Sequence, residues 1–336
     1  MKIVKKHNKV VVLLLTVLLI VSCTPKKDTG TGKTIAVFIP GTLAGSAIYQ
    51  MLADGVKKAA DEVPGTNVDV IEAGGNQAEW ESKLTALAAM GKYSLIVSSN
   101  PSMPVIAESV QRKFPKQYFM ILDGELSGNK NIYTLSYNNG EQAYMAGCIA
   151  GLLCNEFGTD RVGLIAAQEY PVMMEIILPY YTKGVQFTAP GTSVDFRVIG
   201  SWTDSAKAAD ISDAMIADGS RVILTIAGGA NDGAVRAAEN SGSKVIWFDT
   251  NGYAIKPGVI AGSAVIYQDR AAYNKTKLFL EGTLPFGSAE HVGVAQGYVD
   301  FVEDDPIYIK TVSAAVREAQ SEIVKQIKAG EVIITK

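Results

Sequence analysis

Short runs of β-branched and aliphatic residues alternate with helical patterns along most of this 336-residue chain, and the whole alternation occurs twice. In the first half, candidate strands at Thr34–Ile39, Asn67–Ala73, Leu95–Ser98 and Tyr118–Leu122 are separated by candidate helices at Ala47–Glu62, Gln77–Ala89 and Pro104–Lys113. After Asn138 the pattern restarts. Helices at Gly140–Leu153, Met173–Val185, Ser205–Asp218 and Ala230–Asn240 flank strands at Arg161–Ala166, Ser193–Val198, Arg221–Ile226 and Lys244–Phe248. Strand–helix–strand units at this spacing build parallel sheets covered by helices on both faces, so the expected fold class is α/β, in two doubly wound lobes. Open sheets of this kind bind ligands at the carboxyl ends of their strands, and two such edges facing each other make a cleft.

The segments that follow the strands would line that cleft. They read PGTLAGS, AGGNQAEW, SSNPS and LDGELSG in the first half, then AQEYP, GSWTD, AGGAND and FDTNGY in the second. Gly, Asn and Asp with single aromatic residues suit a site that stacks a ring and hydrogen-bonds a polyol, although the same residues are also the ordinary ones for turns.

The N-terminus carries a different signal. Lys2, Lys5, Lys6 and Lys9 precede an aliphatic run from Val10 to Val21, which ends at Ser22-Cys23 and is followed by a polar stretch to Lys33. A basic segment, a short apolar core and a small residue before cysteine read as a bacterial lipoprotein signal, with residues 1–22 removed, Cys23 lipidated and 23–33 serving as a tether. The expected location is therefore the extracytoplasmic face of a bacterial membrane, with the lipid as the anchor. Past the leader no apolar run is long enough to span a bilayer.

Composition narrows the function. Taking the four leader lysines from the 31 basic residues, against 34 acidic ones, moves the net charge from −3 to about −7, which disfavours nucleic acid as a partner. The only histidines are His7, in the leader, and His291, and beyond Cys23 the only cysteines are Cys148 and Cys154. Metal sites and histidine-dependent nucleophiles need more of these side chains converging than the chain offers. Cys148 and Cys154, six apart in an apolar helical stretch, point to different helix faces and read as small buried side chains. AGGANDG lacks both a dinucleotide fingerprint and the lysine of a P-loop, and the N-terminal region has no aspartate cluster of the kind a calcium-dependent nucleoside hydrolase uses.

Four segments carry a family resemblance: YFMILDGELSG, RVGLIAAQEYPVM, VIGSWTDSAKAADISDAMIADGSRVILTIAGGANDG and KVIWFDTNGY. They resemble the basic-membrane-protein family of ABC-transporter solute-binding lipoproteins, over roughly Thr34 to Tyr308. The resemblance implies the type I periplasmic-binding-protein fold, two lobes joined by a three-strand hinge, an aromatic ligand such as a purine nucleoside, and a permease and an ATPase as partners. It places lobe one at 34–136 plus 268–286 and lobe two at 137–267 plus 287–336, in a monomer without catalytic residues, metal or cofactor. Two departures bear on the ligand. The loop Gly41–Tyr49 lacks the acidic residues of nucleoside-binding members, and Val265-Ile266-Tyr267-Gln268 has no cation where those members place a lysine. PGTLAGSAIY, AGGNQAEW, SSNPSMP, AQEYPVM and GSAVIYQ look similar instead to the spirochaetal riboflavin-binding branch, so riboflavin is the expected ligand and a nucleoside the alternative. An enzyme acting on nucleosides and a surface adhesin remain as readings from other classes.

The expected site follows. Tyr49 and Trp202 are the candidate stacking pair, with Trp80 as a substitute for either; Asn100, Asp123, Asp249, Asn251 and Gln268 are the candidate polar contacts; Gly228 and Gly229 allow close backbone approach.

Overall fold

The computed structural model describes residues 32–332 and Ile334, so the leader, Cys23 and most of the 23–33 tether lie outside the described residues. The first half builds β1 (Thr34–Ile39), α1 (Ala47–Asp61), β2 (Asn67–Glu72), α2 (Gln77–Ala89), β3 (Leu95–Ser99), α3 (Met103–Lys113), β4 (Phe119–Leu122) and β5 (Ile132–Tyr137). The second builds α4 (Asn139–Phe157), β6 (Arg161–Ala166), α5 (Leu178–Thr188), β7 (Ser193–Val198), α6 (Ser205–Ala217), β8 (Val222–Ile226), α7 (Asn231–Ser241), β9 (Lys244–Asp249) and β10 (Ile260–Ile266). The chain then runs through α8 (Gln268–Leu280), β11 (Ala289–Val292), β12 (Val299–Phe301), α9 (Pro306–Thr311) and α10 (Ala314–Lys328).

Two six-stranded sheets result, in the orders β11-β5-β4-β3-β1-β2 and β12-β10-β9-β8-β6-β7. The first is parallel throughout, while the second is parallel except for β12, which runs antiparallel to β10. The central strands β1, β3, β4 and β8 are buried along nearly their whole length, as strands covered on both faces must be. The chain passes between the sheets three times: from β5 into α4, from β10 into α8, and from β11 to β12. The third passage differs from the expected boundary at 286/287. Ala289–Val292 pairs in parallel with Thr134–Tyr137, so β11 extends the first sheet and the crossing falls after Val292.

α4 anchors the second lobe. Residues 142–151 are all buried, and the helix is apolar on every side, which suits an interior helix rather than a surface one. Asn138 caps it by accepting from the Glu141 amide at 3.1 Å, and Gly158 ends it in the left-handed conformation. α5 crosses it at glycines: a Cβ on Gly147 would stand 2.1 Å from the Tyr181 carbonyl oxygen, and one on Gly184 2.2 Å from that of Tyr144. Cys148 and Cys154 are free and buried on this helix.

The expected helix Met173–Val185 is divided. Met173–Ile177 forms a π-helical turn before α5, whose second residue is Pro179. A proline there has no N–H to return to the preceding turn and its ring crowds the carbonyl four residues back, so the backbone widens locally. That turn lies beside the loops at the carboxyl edge of β6.

Candidate functional site

Asp123 and Asp249 end equivalent strands. β4 and β9 each stand third from the edge in their sheets, and each is followed by or ends on an aspartate. Among the described residues these are the two non-glycine positions with positive φ, 53° for Asp123 and 71° for Asp249. Aspartate is one of the few side chains that tolerates the left-handed region, and holding it there turns the chain sharply off the end of an apolar strand. Both carboxyls are only half-buried at the surface of their own loops. Lost hydration nevertheless raises both: Asp123 is pushed up to about 7, with the Asp249 charge as a second cause, and Asp249 to about 6 against the opposing hydrogen bond of Gln142. Gln142 Nε2 donates to Asp249 Oδ1 at 3.1 Å and to the Ala264 carbonyl at 3.1 Å, which fixes the carboxylate to α4 and β10.

Both lobes bring aromatic groups to this region, and the carboxylate charges act on two of them. From the first lobe, Tyr49 on α1 donates from its hydroxyl to the Pro40 carbonyl at 3.2 Å and lies against Gly41, where a Cβ would be 2.8 Å from the ring. Burial pushes its phenol up to about 12, a hydrogen bond with Asn100 opposes that, and the Asp123 charge adds to it. From the second lobe, Tyr170 follows β6, and its ring centroid is 6.2 Å from that of Trp202 at an interplanar angle of 40°. Burial raises the Tyr170 phenol, and the Asp249 and Asp123 charges raise it further. Trp202 keeps 42% of its surface exposed and is the most accessible large aromatic of the group. Its loop is held from behind by Ala230, whose amide donates to the Trp202 carbonyl at 3.1 Å. Gly228, at φ 57°, presses against that same carbonyl and ring, so Gly228 and Gly229 support the Trp202 loop rather than open a path for a ligand.

A depression opens beside Asp123. It is lined from the first lobe by Asp123, Glu125 and Tyr137, from the second by Val172 and Ile176, and at the third crossing by His291. None of its lining residues is lysine or arginine. Tyr137, the last residue of β5, is 3% exposed with a hydroxyl that has no hydrogen-bond partner among the described residues.

The remaining sequence candidates stand elsewhere. Trp80 is 6% exposed, packs with Phe38 and Leu84 in the first lobe's core, and donates from Nε1 to the Gly74 carbonyl at 2.8 Å. Its indole is a structural prop for the loop after β2. Gln268 is fully buried, donating to the Ile48 carbonyl and accepting from Ser99, so it ties α8 to α1 and β3. Asn251 is engaged locally, donating to Asp305 and accepting from the Tyr253 amide. Asn100 sits at the end of β3 beside Tyr49 and accepts from the Ser102 amide at 2.9 Å. Sequence reasoning missed Tyr170, Gln142 and Tyr137. The AQEYP loop after β6 marked the first of these, being a single aromatic after an apolar strand.

The family model described as ABC transporter substrate-binding protein PnrA-like matches residues 32–332. The chain belongs to this family. A CD4+ T-cell-stimulating antigen of Listeria monocytogenes is 23% identical over 283 residues, covering 80% of this chain and 78% of that one. The ABC transporter nucleoside-binding protein BmpA of Lactococcus lactis is 26% identical over 159 residues, 46% of this chain and 44% of its own length. Among solved structures, a solute-binding protein of an ABC transporter system from Aeropyrum pernix superposes with a TM-score of 0.79 at 22% identity, over 90% of this chain and 94% of that one. One from Conexibacter woesei superposes at 0.66 and 16% identity, over 90% and 99%. The fold is that of the type I periplasmic solute-binding proteins. As a member of this family the protein is a substrate-binding component of an ABC transporter and works outside the cytoplasm. No described helix is long and apolar enough to cross a membrane.

Proposed function

We propose that the protein captures an uncharged, flat heteroaromatic molecule carrying a hydroxylated chain or sugar, and that this molecule is riboflavin. The observation that carries the reading is the carboxylate pair Asp123 and Asp249 at matched strand ends of the two lobes, whose charges act on Tyr49 of one lobe and Tyr170 of the other, with Trp202 beside Tyr170, and a depression at Asp123 whose lining has no lysine or arginine. Aromatic faces bury a ring from both sides, and half-buried carboxylates accept from an imide N–H and from hydroxyls. An anionic ligand would find no lysine or arginine there. The segment from the loop after β1 into α1 supplies Tyr49 and backbone in place of an acidic side chain, which favours a flavin over a ribose-gripping arrangement.

A purine nucleoside is the second reading, favoured by the similarity to the nucleoside-binding protein of Lactococcus. In either case the ligand is cargo and not a cofactor: the protein delivers it to the permease and ATPase of an importer, as a monomer held to the membrane by a lipid on Cys23. No catalytic group is needed for that task, and the paired carboxylates serve as acceptors rather than as general acid and base. The test is the absorption spectrum of the protein purified without refolding, with mass spectrometry of what denaturation releases. A flavin band with a riboflavin mass supports the first reading; a released nucleoside supports the second.

A further inference from the structure

We infer that Asp123 and Asp249 couple closure of the two lobes to proton uptake: the cleft shuts when the pair holds a proton or a ligand that donates to both, and reopens when both are ionised and unpartnered. The inference rests on reading this cleft as the ligand site. The two carboxyls come from opposite lobes and stand at matched strand ends, each aimed by a left-handed backbone that ordinary side chains avoid. Asp123 faces the other lobe directly, since it shares one depression with Val172 and Ile176. Asp249 cannot swing away, because Gln142 holds its Oδ1. Closing therefore brings two like charges together in a place that also strips their water, and both effects oppose the doubly ionised state.

The groups around the pair do not relieve this repulsion. Tyr49 from α1, Tyr137 from β5 and Tyr170 from the loop after β6 are phenols that the carboxylates make harder to ionise. Gln142 from α4 and Asn100 from the loop after β3 are neutral, while Glu125 after β4 and Asp269 at the start of α8 add further negative charge. His291 on β11 lines the same depression, and its Nδ1 lies 3.0 Å from Ser136 Oγ. Desolvation raises both carboxyls, Asp123 to about 7 with the Asp249 charge as a second cause and Asp249 to about 6 against its Gln142 hydrogen bond, so the coupling operates close to neutral pH. A donor-rich neutral ligand replaces the proton, so the open form is the one favoured in its absence at alkaline pH.

The test needs no ligand. Small-angle scattering of the ligand-free protein is recorded from about pH 8 to about pH 5, for the wild type, Asp123→Asn, Asp249→Asn, the double variant and His291→Gln. The expected result is a radius of gyration that falls with pH in the wild type, with its midpoint between the two carboxyl values. It stays small throughout in the double variant, and the dependence is weakened in each single one. His291→Gln keeps the wild-type dependence. A wild type whose dimensions do not change with pH, a double variant that still responds, or a response that vanishes in His291→Gln overturns the inference. If the double variant does not fold, the single variants carry the same decision. Because scattering is read without ligand, failure here leaves the flavin reading standing, and failure of the flavin titration leaves this inference standing.

Discussion

Trp202 and Trp80 make opposite predictions that one pair of substitutions separates. Trp202 keeps 42% of its surface in the ligand-free protein, so of the roughly 250 Å² a tryptophan side chain can bury, about 100 Å² remains for a ligand to cover. At about 25 cal/mol per Å² that area is worth about 2.5 kcal/mol, and an offset ring stack adds about 0.5–1.5 kcal/mol. Trp202→Ala should then weaken binding by about 3–4 kcal/mol, a factor of several hundred, while leaving the melting temperature nearly unchanged. Trp80 is 6% exposed in the first lobe's core, and its truncation should instead destabilise the fold by about 3–5 kcal/mol. Isothermal titration with riboflavin, inosine and guanosine, paired with calorimetric unfolding of each variant, reads both quantities. If Trp202→Ala lowers the melting temperature as much as Trp80→Ala does, or leaves every measured affinity within a factor of three, the assignment of one ring to ligand and the other to core is mistaken.

Three further outcomes are expected. Cys23→Ala should move the protein from the membrane to the soluble fraction and remove the lipid mass; unchanged fractionation and mass would refute the lipobox reading. Gly184→Ala should destabilise by about 2–4 kcal/mol in urea, because a Cβ there would stand 2.2 Å from the Tyr144 carbonyl oxygen and 2.9 Å from the Cys148 amide; a neutral result would mean that α4 and α5 can move apart. Asp123 is raised on folding from an ordinary carboxyl value to about 7, so its protonated form favours the fold at low pH and that contribution is lost as pH rises through the folded value. Asp123→Asn, which keeps the left-handed backbone, should therefore gain melting temperature over the wild type progressively from about pH 5 to about pH 8; a constant difference would contradict the raised value.

Much of the architecture was legible because the central strands are nearly continuous apolar runs, and such runs separated by helical periods have one physical solution. The edges were not. β11, with Glu290 and His291 on it, carries no apolar alternation to announce a strand, and it is held by register with β5 and by the Lys275–Glu290 ion pair at 2.5 Å. Positions after strand ends marked Tyr49, Asp123, Trp202 and Asp249 as candidates, since every carboxyl edge of a doubly wound sheet faces the same way, and of these Asp123 lines the depression. Sequence position could not tell which way each side chain turns. Trp80 and Gln268 stand one step from such edges yet are spent on internal hydrogen bonds to Gly74, Ile48 and Ser99. Gln142 was hidden for the opposite reason: it lies in a helix apolar enough to read as core throughout, and its partner Asp249 is 107 residues away.

The central claim is that the cleft between Tyr49, Tyr170 and Trp202 holds an uncharged flavin. Ligand-stripped protein titrated with riboflavin, inosine, guanosine and adenosine, followed by flavin fluorescence and calorimetry, tests it most directly. The account predicts that riboflavin binds most tightly and that its fluorescence is quenched by the stacked rings; tighter binding of any of the three nucleosides, or riboflavin that binds with its emission unchanged, would contradict it.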